Sequence, residues 1–264
     1  MTLFESIVLG LVQGLTEFLP VSSSGHLVLF QQLFGIREGV LLFDIAVHIG
    51  TLIPIVLIFR DDFKKMLLFR ENRLTLLLIA GTIPTAIIGF IFKKHIEELF
   101  ISGKTIGIEF VITGCILWAA ESLKKGSKGL PTTSWLDAAF VGVMQGLAII
   151  PAISRSGLTI AGSLFRGFDR DWAARFSFLL SAPAILGAAV LHAGELIGNG
   201  GFCLMPEHAA IIAAGVAVAA LSGYASVKIM MRVLTSGSMR GFSIYLWVLG
   251  ILILTDQFLT HYYF

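Results

Sequence analysis

Long apolar stretches alternate with short polar segments along the chain, and six of the stretches have about the length of a membrane-crossing helix. A helix needs about 20 residues to cross the roughly 30 Å hydrocarbon core of a bilayer. The six predicted spans are residues 40–59, 74–92, 105–120, 172–192, 209–227 and 242–258. This pattern predicts an all-α integral membrane protein, with residues 1–264 forming a single membrane domain.

Two further apolar segments, 2–35 and 135–165, are interrupted by stretches rich in proline, serine and glycine. Each segment could form two short spans or one re-entrant helix–loop–helix. Their second arms, 26–35 and 158–165, are too short to cross a bilayer, which favours the re-entrant form. Non-helical backbone at membrane depth is tolerated only when it is buried in protein or lines a wet cavity. The interruptions therefore predict a polar cavity inside the membrane.

The two interrupted segments repeat one pattern 132 positions apart. The chain reads Q-G-L-T-E-F-L-P-V-S-S-S-G from Gln13 to Gly25, and Q-G-L-A-I-I-P-A-I-S-R-S-G from Gln145 to Gly157. We therefore predict a first repeat over residues 1–132 and a second over 133–264. Matched halves with glycine and proline breaks at corresponding positions are typical of membrane proteins whose site lies at the repeat interface.

The distribution of basic residues predicts the topology. If both interrupted segments are re-entrant, fourteen basic residues lie on one side of the membrane: Arg60, Lys64, Lys65, Arg70, Arg73, Lys124, Lys125, Lys128, Arg166, Arg170, Arg175, Lys228, Arg232 and Arg240. The other side receives four: Arg37, Lys93, Lys94 and Lys104. The rich side should be cytoplasmic, which places both termini outside and makes the halves inverted. Reading each segment as two full spans would leave every loop on the same side, so charge alone does not separate the two variants.

The composition is that of an integral membrane protein, because 56% hydrophobic and 14% charged residues leave too little polar surface for a soluble globule. The N-terminus has no basic region followed by a small-residue cleavage site, so we expect no removable signal peptide. We also expect no nucleic-acid partner.

The first motif places a carboxylate within an apolar stretch. Gln13 and Glu17 are four residues apart and so share one helix face. A buried carboxylate is costly and usually faces a cavity or a partner; the plainer alternative is that Glu17 only pairs with an internal cation. A polar cluster follows: Ser22, Ser23, Ser24, Gly25 and His26. It opens a predicted helix, whose N-terminus favours an anion.

The second motif supplies a cation and further hydroxyls: Ser154, Arg155, Ser156, Gly157 and Thr159. A guanidinium offers two parallel donors that match phosphate oxygens. The alternative, an arginine extending to the membrane surface, is weakened by the flanking breaks. Both motifs together form an anion cradle suited to phosphoryl transfer, in which catalysis is mostly positioning and charge neutralisation. Asp44 and His48, also four residues apart, could line the same cavity or satisfy each other.

With Q-G-L-T-E-F-L-P-V-S-S-S-G-H and P-A-I-S-R-S-G-L-T, the chain resembles the undecaprenyl-diphosphatase family, the bacitracin-resistance type of bacterial membrane phosphatase. The resemblance implies hydrolysis of undecaprenyl diphosphate to the monophosphate and inorganic phosphate, which recycles the lipid carrier of peptidoglycan precursors. It also implies a divalent cation, Mg²⁺ or Ca²⁺, and six transmembrane helices plus two re-entrant helix-loop-helix elements in an inverted-topology repeat.

The family's motifs fall on particular residues of this chain. Its acidic motif falls on Gln13 and Glu17, with glutamine in the first place, so that a cation would be held by Glu17 with Gln13. Its serine cluster and histidine fall on Ser22 to Ser24 and His26. Its Pro-Gly-x-Ser-Arg-Ser signature falls on residues 151–156, with Ala152 where glycine is common.

These patterns give each site residue an expected role. The expected catalytic residues are Glu17, Ser23, His26 and Arg155. The expected substrate-binding residues are Gln13, Ser22, Ser24, Gly25, Ser154, Ser156, Gly157 and Thr159. The nucleophile could be Ser23, His26 or water.

The expected partners are undecaprenyl diphosphate and membrane lipid, and the expected location is the bacterial inner membrane, with the active site on the extracytoplasmic side. A homodimer is compatible with these patterns. The rival functions are a lipid-phosphate flippase and a non-catalytic lipid-binding scaffold.

Overall fold

The computed structural model describes residues 1–36, 40–68, 72–198 and 206–260. Over these residues the backbone forms twelve α-helices. They are α1 Leu3–Phe18, α2 Ser23–Leu33, α3 Val40–Gly50, α4 Leu52–Ile58, α5 Arg60–Leu67, α6 Asn72–Ser102, α7 Ile106–Glu121, α8 Trp135–Leu147, α9 Arg155–Phe165, α10 Arg170–Gly198, α11 Pro206–Ser236 and α12 Arg240–Thr255. A 3₁₀ turn, Leu130–Thr132, and a π-helical turn, Asp256–Thr260, complete the described secondary structure. The all-α prediction is confirmed.

Within the described residues, five helical stretches are long and apolar enough to cross a membrane: Val40–Ile58, Asn72–Ile96, Arg170–Gly194, Ala209–Ser236 and Arg240–Leu259. They coincide with five of the six predicted spans, and the chain is a multi-pass membrane protein. The remaining predicted span, 105–120, forms α7, which has 16 residues and a length of about 24 Å at the helical rise of 1.5 Å per residue. The six-span arrangement with two re-entrant elements stays a prediction. Arg37 and Arg70, used above for the charge count, lie outside the described residues.

The helix order of the second half follows that of the first. α8 and α9 begin 132 positions after α1 and α2. Both leading helices begin with the same device, a capping box: Thr2 with Glu5 for α1, and Ser134 with Asp137 for α8. Local sequence therefore starts both motif helices in the same way. The division into repeats at residue 132 and their inverted insertion stay predictions.

The main helix contacts join the two halves of the chain. α1 packs along α11, α8 along α6, and α7 along α12. Glycines permit the closest crossings: a Cβ added to Gly10 would lie 2.3 Å from the carbonyl oxygen of Gly215, and one added to Gly142 would lie 2.0 Å from that of Gly81. Small residues of this kind let membrane helices approach until their backbones touch. The halves therefore interlock, which brings the two motif loops together.

A buried aromatic contact fixes the end of α1 beside the site. The ring of Phe18, the last residue of α1, packs edge-on against Phe178 of α10 with 5.6 Å between ring centroids. Both side chains are fully buried. Since Glu17 directly precedes Phe18, this contact also fixes the depth and direction of the Glu17 side chain.

Candidate active site

The two motif loops start their second helices with the same side-chain cap. The Ser22 hydroxyl accepts a hydrogen bond from the Gly25 amide at 3.3 Å, and the Ser154 hydroxyl accepts one from the Gly157 amide at 3.1 Å. Each cap satisfies one of the amides that a helix leaves free at its N-terminus. The remaining amides of α2 and α9 give the loops two N-termini that favour an anion.

Each loop also holds one residue in a left-handed backbone conformation. Ser22 has φ = 70° and Ala152 has φ = 54°, and among the described residues no other non-glycine residue has a positive φ. Such a conformation costs on the order of 1–3 kcal/mol and persists where the surrounding structure enforces it, commonly at functional sites. Glycine adopts a positive φ without this cost, so the alanine at residue 152 is held there by the loop around it.

The two loops are in direct contact. The Ser156 hydroxyl donates a hydrogen bond to the Leu19 carbonyl at 2.9 Å. A Cβ added to Gly25 would lie 2.8 Å from the Cβ of Ala152, so only glycine fits at that point. The predicted contact between loops about 130 residues apart is confirmed.

Glu17 lies at the centre of the contact and accepts hydrogen bonds on both carboxylate oxygens. Its Oε1 is paired with Nη2 of Arg155, from the other half of the chain. Its Oε2 accepts from the Ser23 hydroxyl at 2.5 Å and from Nε2 of Gln13 at 2.8 Å. The residue is 5% exposed. The plainer alternative, pairing with an internal cation, is therefore present in the geometry, but the carboxylate also holds a serine hydroxyl.

Two buried polar atoms beside Glu17 have no hydrogen-bond partner within the described part of the chain. They are Nη1 of Arg155 and Oε1 of Gln13. More than 90% of buried polar groups have a protein or water partner, so an unpartnered donor and an unpartnered acceptor on two residues that both bond to Glu17 point to a ligand. A phosphate oxygen suits the arginine, and a cation or a hydroxyl suits the amide oxygen.

His26 bonds to groups outside the ion pair. Its Nδ1 lies 2.7 Å from the Ser22 carbonyl oxygen, and its Nε2 lies 2.7 Å from the Tyr245 hydroxyl. On α2, His26 follows Ser23 by three residues, so the two side chains share one helix face. Ser23 and Arg155 bond to the two different oxygens of the Glu17 carboxylate. Residues from both motifs therefore meet at one site, as predicted. His26 adjoins that group through Ser23 and bonds to neither Glu17 nor Arg155.

The remaining motif hydroxyls bond within the protein. Ser24 lies 3.3 Å from Ser22 and Ser156 lies 3.3 Å from Ser154, each distance measured between hydroxyl oxygens. The Thr159 hydroxyl donates to the Arg155 carbonyl at 2.8 Å, and its oxygen lies 2.5 Å from that of Ser177 on α10. Thr159 therefore stabilises the helix that carries Arg155. A direct role of these hydroxyls in substrate binding stays a prediction.

Sequence reasoning did not single out two residues that touch the loops. Thr113 of α7 accepts a hydrogen bond from the Ser154 amide at 3.3 Å. The Tyr245 hydroxyl, on α12, lies 2.7 Å from Nε2 of His26. Both lie in apolar spans far from either motif, and a lone hydroxyl there gives no sequence signal.

Asp44 and His48 were noted in the sequence, with two alternatives left open. The Asp44 carboxylate accepts from the Gln31 amide at 2.8 Å, and Nδ1 of His48 lies 2.7 Å from the Asp44 carbonyl oxygen. The other ring nitrogen, Nε2, lies 3.7 Å from Oε2 of Glu17. His48 therefore belongs to the wall of the site, and the two side chains do not satisfy each other.

A groove of about 590 Å³ opens beside the site between α1, α2, α11 and α12. Most of its lining is apolar, including Val12, Leu15, Leu19 and Phe242. His26 and Tyr245 are its polar aromatic residues, and they join the groove to the serine cluster. The groove is therefore a mostly apolar channel that reaches the first motif at His26.

The donors around Glu17 fit a divalent cation only in part. Among the described residues, no group of three or more His, Cys, Asp or Glu side chains could hold a metal ion. Mg²⁺ in phosphate-processing sites is commonly bound through one or two carboxylates plus substrate phosphates. Glu17 and the free oxygen of Gln13 meet that requirement when phosphate oxygens complete the set.

Residues 6–252 match the family described as bacitracin resistance protein BacA. The chain is 57% identical to a protein of Carboxydothermus hydrogenoformans named undecaprenyl-diphosphatase, over 97% of this chain and 98% of the relative. A protein of the same name from Halothermothrix orenii is 46% identical over 96% of this chain and 98% of its own length. One from Alkaliphilus metalliredigens is 42% identical, again over 96% and 98%.

Proposed function

The chain belongs to the bacitracin resistance protein BacA family, and on that premise we propose that it is an undecaprenyl-diphosphatase, which hydrolyses undecaprenyl diphosphate to undecaprenyl phosphate and inorganic phosphate. The observation that carries the proposal is the Glu17 carboxylate, which binds Arg155 on one oxygen and the Ser23 hydroxyl on the other. An acid, a hydroxyl and a guanidinium in mutual contact are the groups that phosphoryl transfer requires.

The diphosphate is held between the two loops. Nη1 of Arg155 is buried and free to donate to a phosphate oxygen. The amides that begin α2 and α9 add positive potential from two directions. Nη2 of Arg155 already donates to Glu17. When substrate binds, the guanidinium therefore donates to both the carboxylate and the phosphate.

We assign the nucleophile to Ser23. Its hydroxyl oxygen attacks the terminal phosphorus while its proton passes to Oε2 of Glu17, 2.5 Å away. An O–P bond to serine forms, the bond from phosphorus to the bridging oxygen breaks, and undecaprenyl phosphate leaves. Water then cleaves the phosphoserine, which releases inorganic phosphate and returns a proton to Ser23. A nucleophile and a base within hydrogen-bond distance are the usual arrangement for this type of catalysis.

A divalent cation, Mg²⁺ or Ca²⁺, would be held by Glu17 and Oε1 of Gln13 together with the diphosphate oxygens. When bound, it would neutralise part of the substrate's negative charge. Gln13 also donates to Glu17 through its Nε2 at 2.8 Å, which places its amide, with the unpartnered Oε1, next to the carboxylate.

The proposed placement is the bacterial inner membrane, with six spans and the two motif segments re-entrant from opposite sides. The site then opens to the extracytoplasmic side, and the first isoprene units of the substrate lie in the groove beside His26. A reporter fused after Phe264, which lies outside the described residues, should be active only outside the cytoplasm. Activity confined to the cytoplasm would overturn the topology. A homodimer stays a prediction.

The direct test is phosphate release from the purified protein given a prenyl diphosphate in detergent, with and without a chelator. An enzyme releases phosphate under these conditions, and a chelator should suppress the release. A lipid-phosphate flippase or a binding scaffold would release none, because detergent leaves nothing to transport across. Inverted halves with broken helices are also transporter architecture, so a null result would favour the flippase.

A further inference from the structure

We propose that Tyr245 is the positioning residue for His26: its hydroxyl donates to Nε2 and holds the imidazole, in the tautomer that the Ser22 carbonyl requires, with Nε2 toward the groove as a proton acceptor. This inference rests on the proposed phosphatase function. Tyr245 lies on α12, 219 positions after His26, and belongs to neither motif.

The hydrogen-bond partners of the ring decide its tautomer. A carbonyl oxygen can only accept, so the 2.7 Å contact with the Ser22 carbonyl requires that Nδ1 carries the hydrogen. In the neutral ring, Nε2 then has a free lone pair, and the Tyr245 hydroxyl at 2.7 Å must be the donor. The two contacts therefore select a single arrangement of the proton.

Aromatic contacts fix the plane of the same ring. Tyr245 stacks on His26 with an interplanar angle of 14°, and Phe110 meets it edge-on at 79°. Phe110 lies on α7, which packs along α12, the helix of Tyr245. Rings from two neighbouring helices, α7 and α12, therefore pack against the imidazole. The Ser22 carbonyl in the first motif loop is its third contact.

The Tyr245 hydroxyl is the partner of the ring that lies toward the groove. His26 is 4% exposed, whereas Tyr245 is 45% exposed and lines the groove. The water that cleaves the phosphoserine can replace this hydroxyl at an Nε2 that is already unprotonated. A proton of that water then passes to Nε2 as its oxygen bonds to phosphorus and the bond from phosphorus to Ser23 breaks. Tyr245 acts on this step through His26 and does not itself touch the reacting phosphate.

Tyr245→Phe tests the proposal, because it keeps the stacked ring and removes only the hydroxyl. We expect kcat for a prenyl diphosphate to fall on the order of tenfold, as for one lost hydrogen bond to a catalytic group, with KM nearly unchanged. Tyr224→Phe on α11 is the matched control and should leave both constants unchanged. A rise in KM at constant kcat would show that Tyr245 contacts substrate, and would overturn the positioning role.

The ¹⁵N spectrum of labelled histidine gives a second reading that does not depend on activity. The wild-type protein should show His26 in the Nδ1–H tautomer, identified by its loss in His26→Gln. Tyr245→Phe should keep this tautomer, because the Ser22 carbonyl still requires it, and should shift the Nε2 resonance, because the hydroxyl that donates to Nε2 is gone. An unshifted Nε2 resonance would overturn the proposal. Failure of the proposed function would instead show as wild-type protein that releases no phosphate while the Nε2 shift persists.

A double variant distinguishes loss of the Tyr245 hydroxyl from misfolding of Tyr245→Phe. In the His26→Gln background, Tyr245→Phe should cause no further loss of kcat, because the hydroxyl acts only through the imidazole. A further tenfold loss in that background would show an effect independent of His26 and would contradict the proposal.

Discussion

Arg155 and Glu17 form an ion pair that joins the two halves of the chain across 138 positions. Glu17 comes from the first motif and Arg155 from the second, so neither motif alone holds a complete set of charges. Taking charges out of water is costly, and removing one partner of such a pair leaves the other uncompensated. Pairing compensates both charges before substrate binds, and an incoming diphosphate competes with Glu17 for the guanidinium.

Glu17→Gln should lower kcat for a prenyl diphosphate by about 10²–10⁴-fold, the usual loss for one acid–base group. The amide can still accept from Arg155 and Ser23, so the protein should insert and fold, but it cannot take the serine proton. Phosphate release by purified protein is the measurement. Glu5→Gln on the same helix is the matched control, because glutamine can keep the capping box with Thr2 and activity should not change. Wild-type turnover in Glu17→Gln would remove Glu17 from the mechanism.

Arg155→Lys should be strongly impaired although it keeps the positive charge. The guanidinium uses Nη2 for Glu17 and has Nη1 free for phosphate, whereas a single ammonium group cannot reproduce this fork. We expect a loss of kcat/KM on the order of a hundredfold, since both a charge-assisted bond and its geometry change. Arg232→Lys, at an exposed position on α11, should be neutral. Equal activity of lysine at residue 155 would mean that Arg155 supplies only general positive potential.

Gly25→Ala should separate the two loops. The added Cβ would lie 2.6 Å from the Phe110 ring and 2.8 Å from the Ala152 side chain, closer than real Cβ atoms approach their neighbours. Because the loops carry the charges of one site, activity should fall at least tenfold, roughly the cost of a small misplacement of catalytic groups. Gly187→Ala, where a Cβ would meet nothing within 4 Å, is the control. Full activity of Gly25→Ala would show that the loop contact is not needed.

Asp137→Asn should reduce stability without changing the chemistry. Its fully buried carboxylate accepts from Lys128 at 3.0 Å and from Arg166 at 2.7 Å, and it closes the capping box of α8. Both cations are partly exposed, so we expect a cost of about 1–3 kcal/mol. A fall of several degrees in the melting temperature in detergent should accompany unchanged kcat in the folded fraction. A selective loss of kcat would place Asp137 in the catalytic machinery.

The sequence predicted the helices well because membrane-spanning helices depend on local composition. The stretches 172–192 and 209–227 form parts of α10 and α11, and α8 begins at residue 135, where the second interrupted segment was predicted to start. The predicted span 105–120 also has the length of α7. The ends of the longest helices were harder to predict. α6 and α10 pass through Pro84 and Pro183 and continue beyond the predicted ends at 92 and 192, because packing rather than local preference decides these bounds.

The sequence predicted the site residues that are charged and that lie in the repeated motif. Glu17 and Arg155 stand out because charges in apolar stretches need partners, and the repeat aligned their loops. Thr113 and Tyr245 could not be found in this way. Each is a single hydroxyl in an apolar helix, and only the packing of α7 and α12 brings it to the loops.

The central claim is that the two motifs form one diphosphate site through Glu17 and Arg155. A double-mutant cycle on kcat/KM for phosphate release, with Glu17→Gln, Arg155→Lys and the combined variant, tests it most directly. Groups that act as one unit are strongly non-additive, so the combined variant should lose little more than the worse single variant. If the two losses multiply instead, Glu17 and Arg155 act independently, and the single-site account is wrong.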